Sequence, residues 1–266
     1  MGSCWVATHL PTLGGMTDLE ETRSPTRVLG PSVKRARVRL GDVVVRDLVT
    51  AIVTEVVEPG DVLPPEGSLS ERFAVSRTVI RESVKRLDEK GLVTVSQGRG
   101  TIVNPPRRWN VLDRDVLSAL VDNDESLEVL DELAVVRASL EAAMARAAAS
   151  RRTDSRVAEL RAAFARAEAT IDDLDAYNQA DAAFHELVME QSGNRLAANI
   201  TGILFARARE SSRFVGVTHR DALRMTLEEH RRILDAIGAG DSELAAKAMR
   251  KHILSSWERR RPARPA

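Results

Sequence analysis

The chain has one cysteine, Cys4, so no disulfide can form within it, and stability must come from packing. A reducing, cytoplasmic setting is the expectation. Aromatic residues make up only 3%, too few to build a stacking surface for single-stranded nucleic acid. No run approaches the roughly 18 consecutive apolar residues of a membrane helix, and the opening lacks the basic and apolar regions of a secretory signal. Val6 stands where a myristoylation motif starting at Gly2 needs Ser or Thr. Net charge is missing too, since 39 Lys and Arg balance 39 Asp and Glu. The balance hides an asymmetry: residues 32–109 hold 14 basic and 10 acidic side chains, and the rest of the chain carries the opposite excess. A basic segment joined to an acidic one points to a polyanion-binding module attached to a second unit. What is present is 43% hydrophobic residues in 266, enough for a globular chain of one large domain or two small ones.

Residues 1–31, with four Gly, three Pro and no periodicity, read as a disordered tail. From Asp42, a plausible N-cap, the pattern turns helical: Leu48, Ile52 and Val56 recur at four-residue steps, flanked by Val45, Val49 and Val53, until Pro59-Gly60. Ser68 and Glu71 have the spacing of a capping box for a short second helix burying Leu69 and Phe73. After the turn Ala74-Val75-Ser76, Ser76 caps a third helix that runs to Lys90 and stops at Gly91. Two β-like runs, Leu92–Ser96 and Thr101–Val103, flank the hairpin signal Gln97-Gly98-Arg99-Gly100, and Pro105-Pro106 closes the unit. Residues 110–122 read as a connecting helix. From Ser126 to Trp257 the chain is helical throughout, with breaks near residues 150, 171, 192, 215 and 238, about six helices in all. The expected fold is mainly α: an N-terminal winged helix-turn-helix with a β-hairpin wing (32–108), a connecting helix (109–124), an all-α bundle (125–258) and a tail (259–266).

On a wheel of about 100° per residue, Arg77, Thr78, Arg81 and Lys85 share one side of the third helix. Val79, Ile80, Val84 and Leu87 take the other. Arginine forks match guanine in the major groove, while threonine and lysine suit phosphates or a thymine methyl. A stripe of this kind is also what an ordinary solvated face looks like; the wing tips the balance. Gly98 and Gly100 let backbone approach a minor groove and Arg99 brings charge there. Lys34, Arg35, Arg37 and Arg39 read equally as phosphate contacts or as a disordered basic arm.

Here the chain resembles a known family. Leu63-Pro64-Pro65-Glu66, Leu69-Ser70, Val75-Ser76-Arg77-Thr78, Arg81-Glu82, Leu87 and Gly91-Leu92 are similar to the DNA-binding domain of GntR transcription regulators over residues 43–104. The resemblance implies that Arg77, Thr78 and Arg81 read bases or phosphates and that Gly98 sits at the wing tip. One position departs: Gly67 stands where the family has a DNA-touching arginine, which leaves one contact fewer or a substitute such as Arg72.

Of five histidines, His9 falls in the tail and His219 in a loop. Asp181 and His185, four residues apart, share a helical face. His230 and His252 lie on the two arms of an antiparallel helix pair joined at Gly238-Ala239-Gly240, at comparable heights. Each alone reads as a hydrogen-bonded core residue. Three imidazoles and a carboxylate converging in a bundle suit Zn²⁺, with Ni²⁺ or Mn²⁺ as alternatives. Glu132-Leu133-Ala134-Val135-Val136-Arg137, Leu140-Glu141, Asp181-Ala182-Ala183-Phe184-His185, Ser192-Gly193-Asn194, Glu229-His230 and Met249-Arg250-Lys251-His252 resemble the FCD effector domain of the FadR subfamily, over about residues 125–257. That resemblance implies metal ligation by Asp181, His185, His230 and His252, and a small organic acid at or beside the metal. It also implies that Arg137 faces the pocket; a surface salt bridge between Arg137 and Glu141 is the competing reading. Trp109-Asn110-Val111-Leu112-Asp113 resembles the connecting helices of sugar-acid regulators. The implied protein is a homodimeric, DNA-binding transcription regulator, a repressor of a double-stranded operator, released by a small carboxylate or sugar acid. A metal-dependent enzyme and a metal sensor without organic effector stay open. Against the enzyme, no H-E-x-x-H and no phosphate-binding loop is present.

Overall fold

The computed structural model describes residues 35–210 and 220–261; the expected tail over 1–31, Lys34 and the helix break near residue 215 lie outside them. Helix α1, Arg35–Val53, starts a full seven residues before Asp42. Asp42 is therefore no cap, and its Oδ1 instead accepts from Arg86 Nη1 at 2.7 Å, a partner 44 residues away. The helix ends at Val53, earlier than the apolar spacing suggests, and leaves Val56 exposed. Helix α2, Glu66–Phe73, begins before the anticipated capping box: Pro65 precedes it and no side chain caps it, so Ser68 sits inside the helix. Proline with its fixed φ serves as the entry instead. Ala74, at φ 51°, makes the turn into α3, Arg77–Glu89, whose first turn is capped by Ser76 Oγ accepting from Val79 N at 3.4 Å.

Strands β1, Val93–Ser96, and β2, Gly100–Val103, pair antiparallel with Val93 opposite Val103 and Ser96 opposite Gly100. The segment after α1 adds to this wing, with Leu63 N donating to Thr101 O at 2.8 Å and Val103 N to Asp61 O at 2.9 Å. This close approach explains Gly100, where a Cβ would stand 2.9 Å from Val62 Cγ1. Gly91, at φ 73°, is demanded more strictly: a Cβ there would lie 2.2 Å from the Arg108 carbonyl oxygen. One core unites these elements, with Ile52, Ile80, Leu87 and Leu92 fully buried. Each such side chain stabilises the unit by roughly 1.5–3 kcal/mol.

After a 3-10 turn at Pro106–Arg108, helix α4 spans Arg114–Asn123, capped by Asp113. Its two sides bury different things. Val116 and Ala119 join the winged core. Leu117 and Val121 join a cluster with Leu130, Leu204, Ala208 and Trp257 of the following helices. Six helices follow among the described residues: α5 Glu128–Ser150, α6 Asp154–Ala169, α7 Leu174–Ser192, α8 Arg195–Glu210, α9 Arg220–Ala239 and α10 Ser242–Arg260. Buried Ala138, Ala145, Ala148, Ala149 and Ala245 let α5 and α10 pack closely. Helix α10 runs on to Arg260, so Arg259 and Arg260, expected to open a tail, are helical. No described helix is long and apolar enough to cross a membrane.

Candidate functional site

Helix α3 turns Ile80, Val84 and Leu87 inward and leaves Arg77, Thr78, Arg81 and Lys85 exposed. Arg81 is held as a fork: its Nε and Nη2 donate to the two carboxylate oxygens of Glu66, at 3.2 and 2.9 Å. The Arg81 hydrogen bond in turn holds the Glu66 carboxyl below its usual range. The guanidinium nearest Gly67 belongs to Arg77, with Nη2 3.6 Å from where a Cβ would stand. Arg72, the anticipated substitute, is exposed, with its guanidinium 6.0 Å from the Phe73 ring centroid. Gly98 and Arg99 are exposed in the hairpin turn, Gly98 at φ 77°.

The second site lies inside the bundle. Helix α7 supplies His185, α9 supplies His230 and α10 supplies His252, all buried. Their Nε2 atoms form a triangle with edges of 3.2, 3.1 and 3.2 Å. At about 2.1 Å from a common ion, tetrahedral or octahedral donors stand roughly 3.0–3.4 Å apart, so the triangle fits a metal face. The donor chemistry agrees. His185 Nδ1 donates to Glu141 Oε2 at 2.6 Å, and His252 Nδ1 donates to Glu229 Oε2 at 2.9 Å. With protons fixed on Nδ1 by carboxylates, both Nε2 atoms turn lone pairs toward the same point, the tautomer a ligating imidazole needs. Burial, together with the repulsion that protons on neighbouring His252 and His185 would add, pushes His230 well below the usual imidazole range, and burial also lowers His252. Both therefore stay neutral, as metal ligands must be. His230 packs flat on Phe184, centroids 4.6 Å apart, and its buried Nδ1 finds no hydrogen-bond partner among the described residues.

Asp181, expected as the fourth ligand, lies outside this tight trio: its Oδ1 is 3.7 Å from His230 Nε2, at the wall of a cleft above the imidazoles. Sequence reasoning missed the carboxylates behind the histidines. Burial alone would raise Glu141, but Arg137 and His185 outweigh it and hold the carboxyl at about 2. Glu229 is likewise held at about 2, against its burial, by His252 and by Arg259, whose two Nη atoms donate to its oxygens at 2.8 Å each. Arg259 lies seven residues beyond His252, two turns along the same face, so one carboxylate reaches both, but that spacing does not point to Glu229.

Arg137 both pairs with Glu141 and borders the cleft. Its Nε donates to Glu141 Oε1 at 2.5 Å, but the pair is buried rather than on the surface. The guanidinium also lines the cleft, with Arg259, Arg260, Tyr177, Asn178 and Thr226. Burial brings Arg260 down to about 10, which leaves it charged at neutral pH. The cleft therefore sets Arg137, Arg259 and Arg260 together with Asp181 above imidazole nitrogens, a polar lining suited to a ligand that bears both carboxylate and hydroxyl groups.

Two families match the chain: the one described as "Bacterial regulatory proteins, gntR family" over residues 40–103, and the FCD domain over residues 132–255. The chain is similar to the galactonate operon transcriptional repressor of Escherichia coli strain K12, 34% identical over 201 residues, 76% of this chain and 88% of that protein. It is also 30% identical to the HTH-type transcriptional regulator LutR of Bacillus subtilis strain 168, over 74% of this chain and 90% of that one. Among solved structures, the Listeria monocytogenes protein Lar aligns with a TM-score of 0.51 at 20% identity, covering 82% of this chain and 95% of that chain, a likeness of fold alone.

Proposed function

From the premise that the chain belongs to the GntR family of bacterial transcription regulators and carries an FCD domain, we propose that it represses transcription from a double-stranded operator and is released by a small organic acid bound over a metal ion. The family is one of regulators rather than enzymes. In this reading residues 32–108 form the DNA-binding unit, 109–124 the connection and 125–258 the effector domain, and two copies act as a homodimer in the cytoplasm. Arg77, Thr78, Arg81 and Lys85 meet the major groove, and Gly98 and Arg99 the minor groove.

The observation that carries the effector reading is the triangle of His185, His230 and His252 nitrogens beneath a cleft walled by arginines. The three imidazoles hold the ion and Asp181 completes the set by a small side-chain adjustment; imidazole-rich donation suits Zn²⁺, with Ni²⁺ as an alternative that imidazole also accepts and Mn²⁺ as one that leans more on oxygen donors. When bound, the ion supplies a Lewis-acidic anchor for carboxylate and hydroxyl oxygens. Arg137 clamps the same acid by a bidentate pair. The name of the galactonate operon repressor makes sugar acids the first class to test.

The test has two parts. Zinc-loaded protein is screened by thermal shift against sugar acids and other small carboxylates, where a true effector raises the transition by mass action. Operator binding is measured by anisotropy at fixed salt, where Arg77→Ala and Arg81→Ala are each expected to weaken binding by roughly 1–3 kcal/mol. Unchanged operator affinity in both variants removes α3 as the reader.

A further inference from the structure

We propose that the proton inside the histidine triangle belongs to His230, and that His230 is the metal ligand held against a cost, the one that sets how tightly the site keeps its ion. The inference rests on the metal reading above and adds which imidazole limits it. The Nε2 atoms of His185, His230 and His252 stand 3.2, 3.1 and 3.2 Å apart. Three lone pairs at that separation repel one another. Without a cation between them, one nitrogen must carry a proton that the others accept.

His185 and His252 are already committed. Glu141 and Glu229 are held ionised, and an ionised carboxylate only accepts, so each fixes a proton on the Nδ1 that faces it. A neutral ring then has only a lone pair to offer at Nε2. His230 is built the other way round. Its Nε2 faces the Nε2 atoms of both other rings, with Asp181 Oδ1 beyond them at 3.7 Å. Its buried Nδ1 meets no hydrogen-bond partner among the described residues. Phe184 does not serve as one. The two rings stack within 24° of parallel, and an N–H lying in the imidazole plane points past the Phe184 face. The ring angles repeat the asymmetry: His185 and His252 lie 23° apart, while His230 crosses them at 76° and 64°. One donor faces two like acceptors.

Ligation reverses this at His230 alone. To offer its Nε2 lone pair, His230 gives up the proton there and takes one at Nδ1, with no change in ring charge. A buried N–H with no acceptor then weakens metal binding by roughly 5–150-fold relative to a paired one. His185 and His252 keep the protons they have, so the cost falls on a single ligand.

The experiment is long-range proton–nitrogen correlation NMR of the histidine rings in the full-length protein, with chelator and with zinc. With chelator, His230 is expected as the Nε2–H tautomer, and His185 and His252 as Nδ1–H. With zinc all three are expected as Nδ1–H, so the protonated nitrogen changes place only at His230. A His230 that is already Nδ1–H with chelator, or a doubly protonated ring in the trio, overturns the proposal. Zinc affinity is then compared by chelator competition for His185→Ala, His230→Ala and His252→Ala. The His230 variant is expected to lose least, by about fivefold or more against either of the others. An equal or greater loss removes His230 as the ligand that sets affinity. Where an alanine variant loses its thermal transition, the wild-type ring signals alone decide. If wild type takes up no zinc, the metal reading fails separately, and the spectrum with chelator decides: Nδ1–H at His230 rejects the proposal.

Discussion

Glu229 accepts from His252 and from both Nη atoms of Arg259 at once, which makes it a hinge between a proposed metal ligand and a cleft-lining cation. A carboxylate behind an imidazole fixes the ring's tautomer and raises its basicity as a donor. Glu229→Gln retains the shape and removes the charge, so zinc affinity is expected to drop roughly 10–100-fold. Competition against a chromophoric chelator measures this, and an affinity within about twofold of wild type would show that the carboxylate does not tune the site. The histidines themselves are legible in the sequence, because i, i+4 spacing and a short helix hairpin bring Asp181, His185, His230 and His252 toward one level by local geometry. Glu141 and Glu229 are not. Each acquires its role from a partner 44 or 23 residues away, and sequence spacing says nothing about which buried carboxylate meets which ring.

Among the elements, the junction of α3 with α4 concentrates charge where burial is high. Lys90 is nearly buried and lies between Asp113 and Asp115. Burial works against the charged amine, but the two carboxylates outweigh it and raise its pKa above the usual lysine value. A raised folded value means that the tie stabilises fully below the unfolded value of about 10.4 and is lost as pH climbs through the higher folded one. Lys90→Met is therefore expected to lose about 1–3 kcal/mol at neutral pH. The difference from wild type should shrink only above about pH 10.4. Urea denaturation across that range measures it, and a gap that closes already near neutrality would contradict the linkage. Element boundaries divide along the same line of local against distant causes. Ser76, Gly91 and the Gly98 turn are legible because caps and left-handed residues act within one turn of chain. The early start of α1 is not, since Asp42 answers to Arg86 across the winged core rather than to its own helix.

At the scale of the whole molecule, α4 belongs to two cores. Val116 and Ala119 are sealed into the winged unit and Leu117 and Val121 into the bundle, so one helix is packed into both. In the reading proposed above, such a shared helix makes effector binding and operator binding one coupled equilibrium. Coupling free energy is reciprocal: a ligand that weakens operator binding by some factor must itself be bound more weakly, by that same factor, when operator is present. Zinc, and any small carboxylate that raises the thermal transition of the zinc-loaded protein, are the ligands to titrate by calorimetry with and without saturating operator duplex. For whichever of them lowers operator affinity in anisotropy, the two factors are expected to agree, in the ordinary range of about 5–150-fold. A ligand that releases DNA yet binds the protein equally well in the presence of operator would not be linked to it through the folded chain. It would then be acting on the duplex itself or by removing the fold, and α4 would lose its place as the shared element.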